Sequence, residues 1–188
     1  MPNSEGRKTA PQRRYDSTTR RLHWATAMLV LLMWGGAHAI DWFPRGPIRV
    51  DARSVHIAFG VLLVVLTAYR LYWRRTHGVV FVRTVKWWDR AATLIHGLLY
   101  VAIITTLGLG LANTSVRGDS LFSIAQIPSF GSYGADQRHA LSEQLTNWHQ
   151  QSANAILLVA LVHASAALVH HFLLRDDLLA RMLRNQAN

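Results

Sequence analysis

The sequence predicts an all-α protein, a four-helix transmembrane bundle, from its composition and from the distribution of its charges. Hydrophobic residues make up 51% of the 188 residues and charged residues only 16%, whereas about a quarter of the residues in a typical soluble domain are charged. Four long stretches carry almost no charge, and the arginines crowd between them. The net charge is +10. Because the basic residues flank apolar stretches, we expect them to face lipid headgroups rather than nucleic acid.

The four apolar stretches define the predicted helices, at about 22–40, 54–73, 91–116 and 146–174. Each is close to or above the roughly 20 residues that cross about 30 Å of hydrocarbon. Arg70 interrupts the second stretch near its end, where an arginine can snorkel to the headgroups. The first stretch follows a polar, basic segment and is too long for a signal peptide, so we expect an uncleaved anchor. The predicted membrane domain is therefore 22–174, with tails at 1–21 and 175–188.

Lys and Arg are unequally distributed between the two ends of the helices. The N-terminal tail carries six basic residues, and the second connection also carries six when Arg70, near the end of the second stretch, is counted with it. The first connection carries three and the third connection two. An excess of Lys and Arg marks the cytoplasmic side of a membrane. We therefore predict that both termini and the second connection lie in the cytoplasm, and that the first and third connections face outward.

Four histidines lie in the predicted helices where they can form two opposed pairs. His149 and His163 are 14 residues apart, which is a rise of about 21 Å and a return to nearly the same helix face. His23 begins the first helix near the predicted depth of His163. His56 begins the second helix, which runs in the opposite direction, near the depth of His149. The topology therefore predicts His23–His163 at the cytoplasmic level and His56–His149 at the outer level.

Two imidazoles on opposing helices are the axial ligands that a six-coordinate b-type haem needs. Zinc normally takes four converging ligands, often including thiolates or carboxylates, and the chain has no Cys. The absence of Cys also excludes covalent c-type haem attachment. We therefore predict two haems b, with the four paired histidines as iron ligands. The alternative, a haem-free helical membrane protein such as a transporter component, leaves four costly membrane histidines without a role.

Short motifs along the chain resemble the bacterial cytochrome b561 family, including its superoxide oxidase-like members. The likeness runs from about Arg14 to Leu183. Its motifs are Arg21-Leu22-His23-Trp24, Phe43-Pro44-Arg45, Val55-His56-Ile57 with Gly60, Leu94-Ile95-His96-Gly97-Leu98-Leu99-Tyr100, Trp148-His149, Leu161-Val162-His163-Ala164 and Ala167-Leu168-Val169-His170-His171-Phe172. The resemblance implies ligation of two haems by the same four histidines, a place in the bacterial inner (cytoplasmic) membrane, and electron exchange with ubiquinone.

The resemblance also implies an enzymatic activity, in which superoxide is oxidised at the outer face and ubiquinone is reduced. A positive field focused at that face attracts the anion, and the candidate outer basic funnel consists of Arg45, Arg49, Arg53 and Arg117. Candidate contacts for a quinone or a haem propionate are His96, His170 and His171. The alternative function is a cytochrome b subunit that links the quinone pool to a partner dehydrogenase or a periplasmic carrier.

Overall fold

The structure, a computed structural model, describes residues 15–77, 87–175 and 178–183. Its elements in chain order are α1 (Ser17–Ile40), α2 (Pro47–His77), α3 (Trp87–Arg117), the short strands β1 (Ser120–Leu121) and β2 (Ala125–Gln126), α4 (Ala135–Phe172) and α5 (Leu178–Leu183). Among the described residues, α2, α3 and α4 are long and apolar enough to cross a membrane. The fourth long helix, α1, is less apolar because two His, two Trp and a Gly pair interrupt it.

All four long helices begin before the predicted limits. The start of α2 is Pro47 rather than residue 54, and the start of α4 is Ala135 rather than residue 146. Charged side chains at these ends reach water or headgroups, so the edge of an apolar stretch need not be the end of a helix. The predicted tail at 1–21 similarly contributes its last residues to α1, and the predicted tail at 175–188 contains α5.

Parts of the predicted tails and connections lie outside the described residues. These are residues 1–14, the connection between α2 and α3 at 78–86, and residues 176–177 and 184–188. In the third connection the described chain forms an antiparallel strand pair, in which Ser120 pairs with Gln126 and Leu121 with Ala125. The prediction of an all-α chain was therefore wrong for this short segment.

The beginning of α1 is fixed by Asp16. Its carboxylate accepts hydrogen bonds from the backbone N–H of Thr19 at 2.8 Å and from the Thr19 hydroxyl at 2.6 Å, as an N-cap residue does. The indole of Trp73, near the end of α2, donates to the same carboxylate at 3.1 Å. Burial by itself would raise the pKa of Asp16, but these hydrogen bonds hold that pKa below its usual value. One side chain thus caps α1 and ties it to α2.

The strand pair is fastened to the start of α2. Ser54 is fully buried, and its hydroxyl accepts from the backbone N–H of Phe122 at 2.9 Å. Arg53 forms a salt bridge of 3.3 Å with Asp119. Gly118 ends α3 with a φ of 67°, a conformation that suits glycine at a helix C-terminus. The loop after α3 therefore lies against the end of α2 that carries His56.

The long helices form two hairpins with a looser boundary between them. Helix α1 packs chiefly on α2, and α3 packs chiefly on α4, whereas α2 and α3 approach each other at few positions. Large apolar side chains face outward along the helices, for example Leu32, Leu111 and Leu158, each more than 60% exposed. Such an outer surface suits lipid rather than water. The boundary between the hairpins is where the paired histidines meet.

Candidate functional site

Two pairs of imidazole rings face each other across the boundary between the helix hairpins. The ring centroids of His23 on α1 and His163 on α4 are 6.3 Å apart, with an interplanar angle of 70°. Those of His56 on α2 and His149 on α4 are 6.2 Å apart, with an angle of 75°. The structure thus brings together the same two pairs that the topology predicts.

Helix α4 supplies one ring to each pair. Because its two histidines are 14 residues apart, the pairs lie at two levels separated by about 21 Å of helix rise. All four rings are partly buried. Among the described residues, no group of three or more His, Cys, Asp or Glu side chains is arranged to hold a metal ion. The arrangement is therefore that of two separate two-histidine sites.

The ring of His149 is held by α3. Its Nδ1 lies 2.9 Å from the carbonyl oxygen of Thr106. A carbonyl oxygen only accepts hydrogen bonds, so Nδ1 carries the proton and donates it. The neutral ring therefore has its lone pair on Nε2, the nitrogen available to a metal. A hydrogen bond from the other ring nitrogen to a backbone carbonyl is a common support for a metal-binding histidine.

The ring of His23 has a different neighbour. Nη2 of Arg70 lies 3.0 Å from Nδ1 of His23. A guanidinium only donates, so Nδ1 accepts and the proton of the neutral ring lies on Nε2. Ligation of a metal through Nε2 would move that proton to Nδ1 and leave Arg70 as a charge beside the ring. The guanidinium also lies 5.5 Å from the centroid of the Tyr100 ring, a cation–π contact.

His96 lies next to the His23–His163 pair rather than within it. Its ring centroid is 5.0 Å from that of His163. It also lines a cavity of about 360 Å³ between α2 and α3, whose other walls are Leu71, Arg74, Arg75, Thr93, Gly97 and Tyr100. Within the described chain, the hydroxyl of Tyr100 is buried without a hydrogen-bond partner. A buried hydroxyl in this position is free to bond to a polar group of a ligand.

His170 and His171 lie away from this cavity. The ring of His170 contacts Trp88 at the start of α3, with centroids 6.1 Å apart. The ring of His171 contacts the adjacent Phe172, at 4.9 Å. Neither residue lines the cavity beside His96, so of the three candidate quinone or propionate contacts, the structure places only His96 next to a histidine pair.

The four arginines of the predicted funnel have different surroundings. Arg49 donates to the backbone carbonyls of Asp41 and Phe43 and so holds the first loop. Arg45 is exposed on that loop. Arg53, one helical turn before His56, is paired with Asp119.

Arg117 donates to the hydroxyl of Thr146 at 3.0 Å, and Thr146 lies one turn before His149. Arg117 is also within electrostatic reach of Arg53 and Asp119. Of the four candidates, Arg53 and Arg117 therefore lie at the level of the His56–His149 pair, together with one carboxylate.

Comparison with known proteins finds a family and relatives that match nearly the whole chain. The family model described as prokaryotic cytochrome b561 matches residues 14–185. The chain is similar to cytochrome b561 homolog 1 of Escherichia coli, with 26% identity over 174 residues, which cover 90% of this chain and 97% of the relative.

Two further relatives are similar over comparable lengths. Cytochrome b562 of Cereibacter sphaeroides is 31% identical over 168 residues, covering 87% of this chain and 90% of its own length. A protein of Yersinia pestis named probable superoxide oxidase CybB is 24% identical over 173 residues, covering 91% of this chain and 96% of its own.

Proposed function

Because this chain belongs to the prokaryotic cytochrome b561 family, we propose that it is a di-haem b-type membrane cytochrome that passes electrons to ubiquinone. The family assignment makes it a membrane cytochrome of electron transport. The protein would hold two haems with four histidine ligands, bind a quinone, and lie in the bacterial inner membrane with both termini in the cytoplasm.

The separation of the paired rings is the observation that carries this proposal. A metal–imidazole bond is about 2 Å long and the ring nitrogen is roughly 1 Å from the ring centre, so two axial imidazoles on one metal have centroids about 6 Å apart. The observed 6.3 Å and 6.2 Å fit that value in both pairs. The loose packing between the two hairpins also suits a flat group inserted between them. The residues that would hold the haems are His23 with His163 and His56 with His149.

Bound haem supplies one-electron redox chemistry, while the protein sets ligation, position and access. Helix α4 positions both sites on one rigid element, so their separation follows from its rise. The Thr106 carbonyl keeps His149 in the tautomer that exposes Nε2. Arg70 places a positive charge beside His23. These groups belong to the chain itself and distinguish one site from the other.

We place the quinone headgroup in the cavity beside His96. The cavity lies between the start of α3 and the end of α2, adjacent to the His23–His163 pair. His96 and the Tyr100 hydroxyl are the hydrogen-bonding groups for a quinone carbonyl, and the imidazole can also hand over a proton when quinone is reduced. The apolar wall formed by Leu71 and Gly97 suits the ring of the quinone.

The substitution Tyr100→Phe tests this placement, because it removes the hydroxyl and keeps the ring. Losing one hydrogen bond of about 1 kcal/mol should raise the KM for ubiquinone about fivefold. Tyr69→Phe is the matched control, since Tyr69 is 44% exposed and stacks on Tyr72. Equal KM values in Tyr100→Phe and the parent protein would place the quinone elsewhere.

Superoxide is the electron donor that we propose for the His56–His149 side. Two guanidinium groups, those of Arg53 and Arg117, lie near one carboxylate, that of Asp119. This group of side chains therefore has a net positive charge, which attracts an anion toward the His56–His149 pair. The activity would then be that of a superoxide:ubiquinone oxidoreductase. Stopped-flow mixing with superoxide, with and without quinone, tests the proposal by the absorbance of reduced haem.

We expect fast haem reduction that slows with added salt, and reoxidation only when quinone is present. Arg117→Gln should slow the reduction about tenfold, and Arg138→Gln is the control, since Arg138 donates to the Val116 carbonyl in the same region. Failure of superoxide to reduce the haem at any salt concentration would exclude this donor.

One observation favours a second candidate function. Arg49 is engaged with backbone carbonyls and Arg53 with Asp119, so two of the four funnel arginines are already neutralised or engaged. A cytochrome b subunit that exchanges electrons between the quinone pool and a partner dehydrogenase or periplasmic carrier needs no anion funnel. Co-purification of such a dehydrogenase, together with inertness toward superoxide, would support this candidate.

A further inference from the structure

Helix α3 contributes no ring to either pair, yet its backbone is the support of His149. The carbonyl of Thr106 accepts from Nδ1 of His149 at 2.9 Å. In an α-helix that carbonyl also accepts from the N–H four residues on, which here belongs to Gly110. A carbonyl oxygen has two lone pairs, so both hydrogen bonds can form. The ring must then approach α3 closely at Gly110.

Gly110 leaves the space that the ring occupies. A Cβ atom built at this position would lie 3.0 Å from Cε1 and 3.3 Å from Nδ1 of His149. These distances are tighter than ordinary van der Waals contact, so an alanine there would displace the ring by a few tenths of an ångström. Gly108, two residues earlier on the same helix, has nothing within 4 Å of the equivalent point. The close approach is specific to Gly110.

Side-chain bonds between α3 and α4 lie one turn to either side of the ring. The hydroxyl of Thr106 bonds to that of Ser152, at 2.6 Å, on one side of His149. On the other side, Asn113 donates to the Thr146 hydroxyl at 2.9 Å. These bonds fix the register of the two helices, so the ring cannot avoid a larger side chain at position 110 by sliding α4.

We propose that Gly110 is a positioning residue for the haem ligand His149: by lacking a side chain, it lets the ring reach the Thr106 carbonyl, which sets the ring plane and keeps Nε2 free for iron. This inference rests on the proposed function, in which His56 and His149 hold one of two haems. The role is specific to that haem, because the ring of His23 is contacted by Arg70 instead.

The test compares the purified holoproteins of Gly110→Ala and Gly108→Ala. Electron paramagnetic resonance of the ferric haems reports the mutual orientation of the axial rings, and transfer of haem to excess apomyoglobin reports how firmly each haem is held. Disturbing a support of this kind commonly weakens metal binding 10–100-fold. In Gly110→Ala we expect one resonance signal to shift and one haem to be lost at least about tenfold faster. His149→Ala identifies that signal, because it removes the same haem.

Gly108→Ala should leave both signals and both transfer rates as in the parent protein. Unchanged signals and rates in Gly110→Ala, or equal changes of both haems, would overturn the positioning role while leaving the two-haem proposal intact. A parent protein without any b-type haem would instead overturn the proposed function.

A milder variant covers the case in which Gly110→Ala does not insert or fold. Ser152→Ala removes the bond to Thr106 without adding an atom, and should shift the same signal by a smaller amount. A shift of the other haem alone, or no shift, in Ser152→Ala would contradict the inference.

Discussion

Arg70→Gln should affect the His23–His163 pair and leave the His56–His149 pair nearly unchanged. The guanidinium lies 3.0 Å from the His23 ring and has no equivalent contact with His149, which meets a neutral carbonyl. A positive charge beside a haem ligand disfavours the oxidised, more positive state of the iron. Removing that charge should therefore lower the midpoint potential of the haem held by His23 and His163, and leave the other haem nearly unchanged.

The magnitude follows from the geometry of the rings. Nη2 of Arg70 is 3.0 Å from Nδ1 of His23, that nitrogen is roughly 1 Å from its ring centre, and the midpoint of the pair is half of the 6.3 Å ring separation further on. The midpoint is therefore roughly 7 Å from the charge, where a unit charge contributes about 2 kcal/mol at an effective dielectric constant of about 20. For a one-electron couple this energy corresponds to about 90 mV. The assay is a potentiometric titration followed by haem absorbance, with both midpoints fitted.

Arg74→Gln is the matched control for this prediction. Its guanidinium lies over the same Tyr100 ring, at 5.9 Å, but one turn further along α2 and exposed to solvent, which screens its charge. We expect a shift well below that of Arg70→Gln. Two midpoints that stay where they are in Arg70→Gln, or that move equally in both variants, would refute the electrostatic reasoning.

Three further predictions concern the paired rings and the two ends of the bundle. His149→Ala should halve the haem content, measured by the pyridine haemochrome assay. Two haems per protein in this variant would contradict the role of His149 as a haem ligand. Ser54→Ala removes the hydrogen bond from the Phe122 N–H, which costs about 1 kcal/mol. The Phe122 amide should then exchange its hydrogen about fivefold faster. An unchanged exchange rate would show that other contacts hold the strand pair. Asp16→Ala should lower stability by about 1 kcal/mol at neutral pH, in thermal unfolding in detergent. Since the folded pKa of Asp16 lies below 3.8, this difference should persist above pH 3.8 and vanish as the pH falls through the folded pKa; a difference that persists in strong acid would contradict the capping role.

Much of the fold was predictable because lipid imposes a simple rule on the sequence. An apolar stretch of about 20 residues with almost no charge has to become a helix in a bilayer, and all four such stretches are helical. The start of α4 at Ala135 was not predictable in this way, because its first turns are polar and follow no apolar pattern. The strand pair at Ser120–Gln126 depends on a buried hydroxyl of α2, a contact far away in the sequence.

The meeting of the rings was predictable for a related reason. Depth in the membrane follows from helix direction and from 1.5 Å of rise per residue, so the partners of His149 and His163 could be named without coordinates. The residues that hold the rings in place could not be named from the sequence. Thr106 holds His149 through its backbone carbonyl, and Gly110 makes room for the ring because it has no side chain. In the sequence, Arg70 resembles the basic residues that set membrane topology. Only the placement of α2 and α3 gives these residues their roles.

The local charges at the first and third connections could be assigned only from the structure. Arg49 and Arg53 count as two basic residues in the sequence, but one holds a loop and the other pairs with Asp119. Their hydrogen bonds depend on where the chain turns after α1 and after α3. The same is true of Tyr100, whose buried hydroxyl beside the cavity gives no signal in the sequence.

The central claim is that the four histidines act as two pairs, and the haem content of double variants tests it most directly. His23→Ala and His163→Ala should each remove one haem of two, and the combination should remove no more than either alone. Combining His23→Ala with His56→Ala should remove both. A parent protein with fewer than two haems b, or a His23→Ala/His163→Ala double variant that loses both haems, would contradict the account.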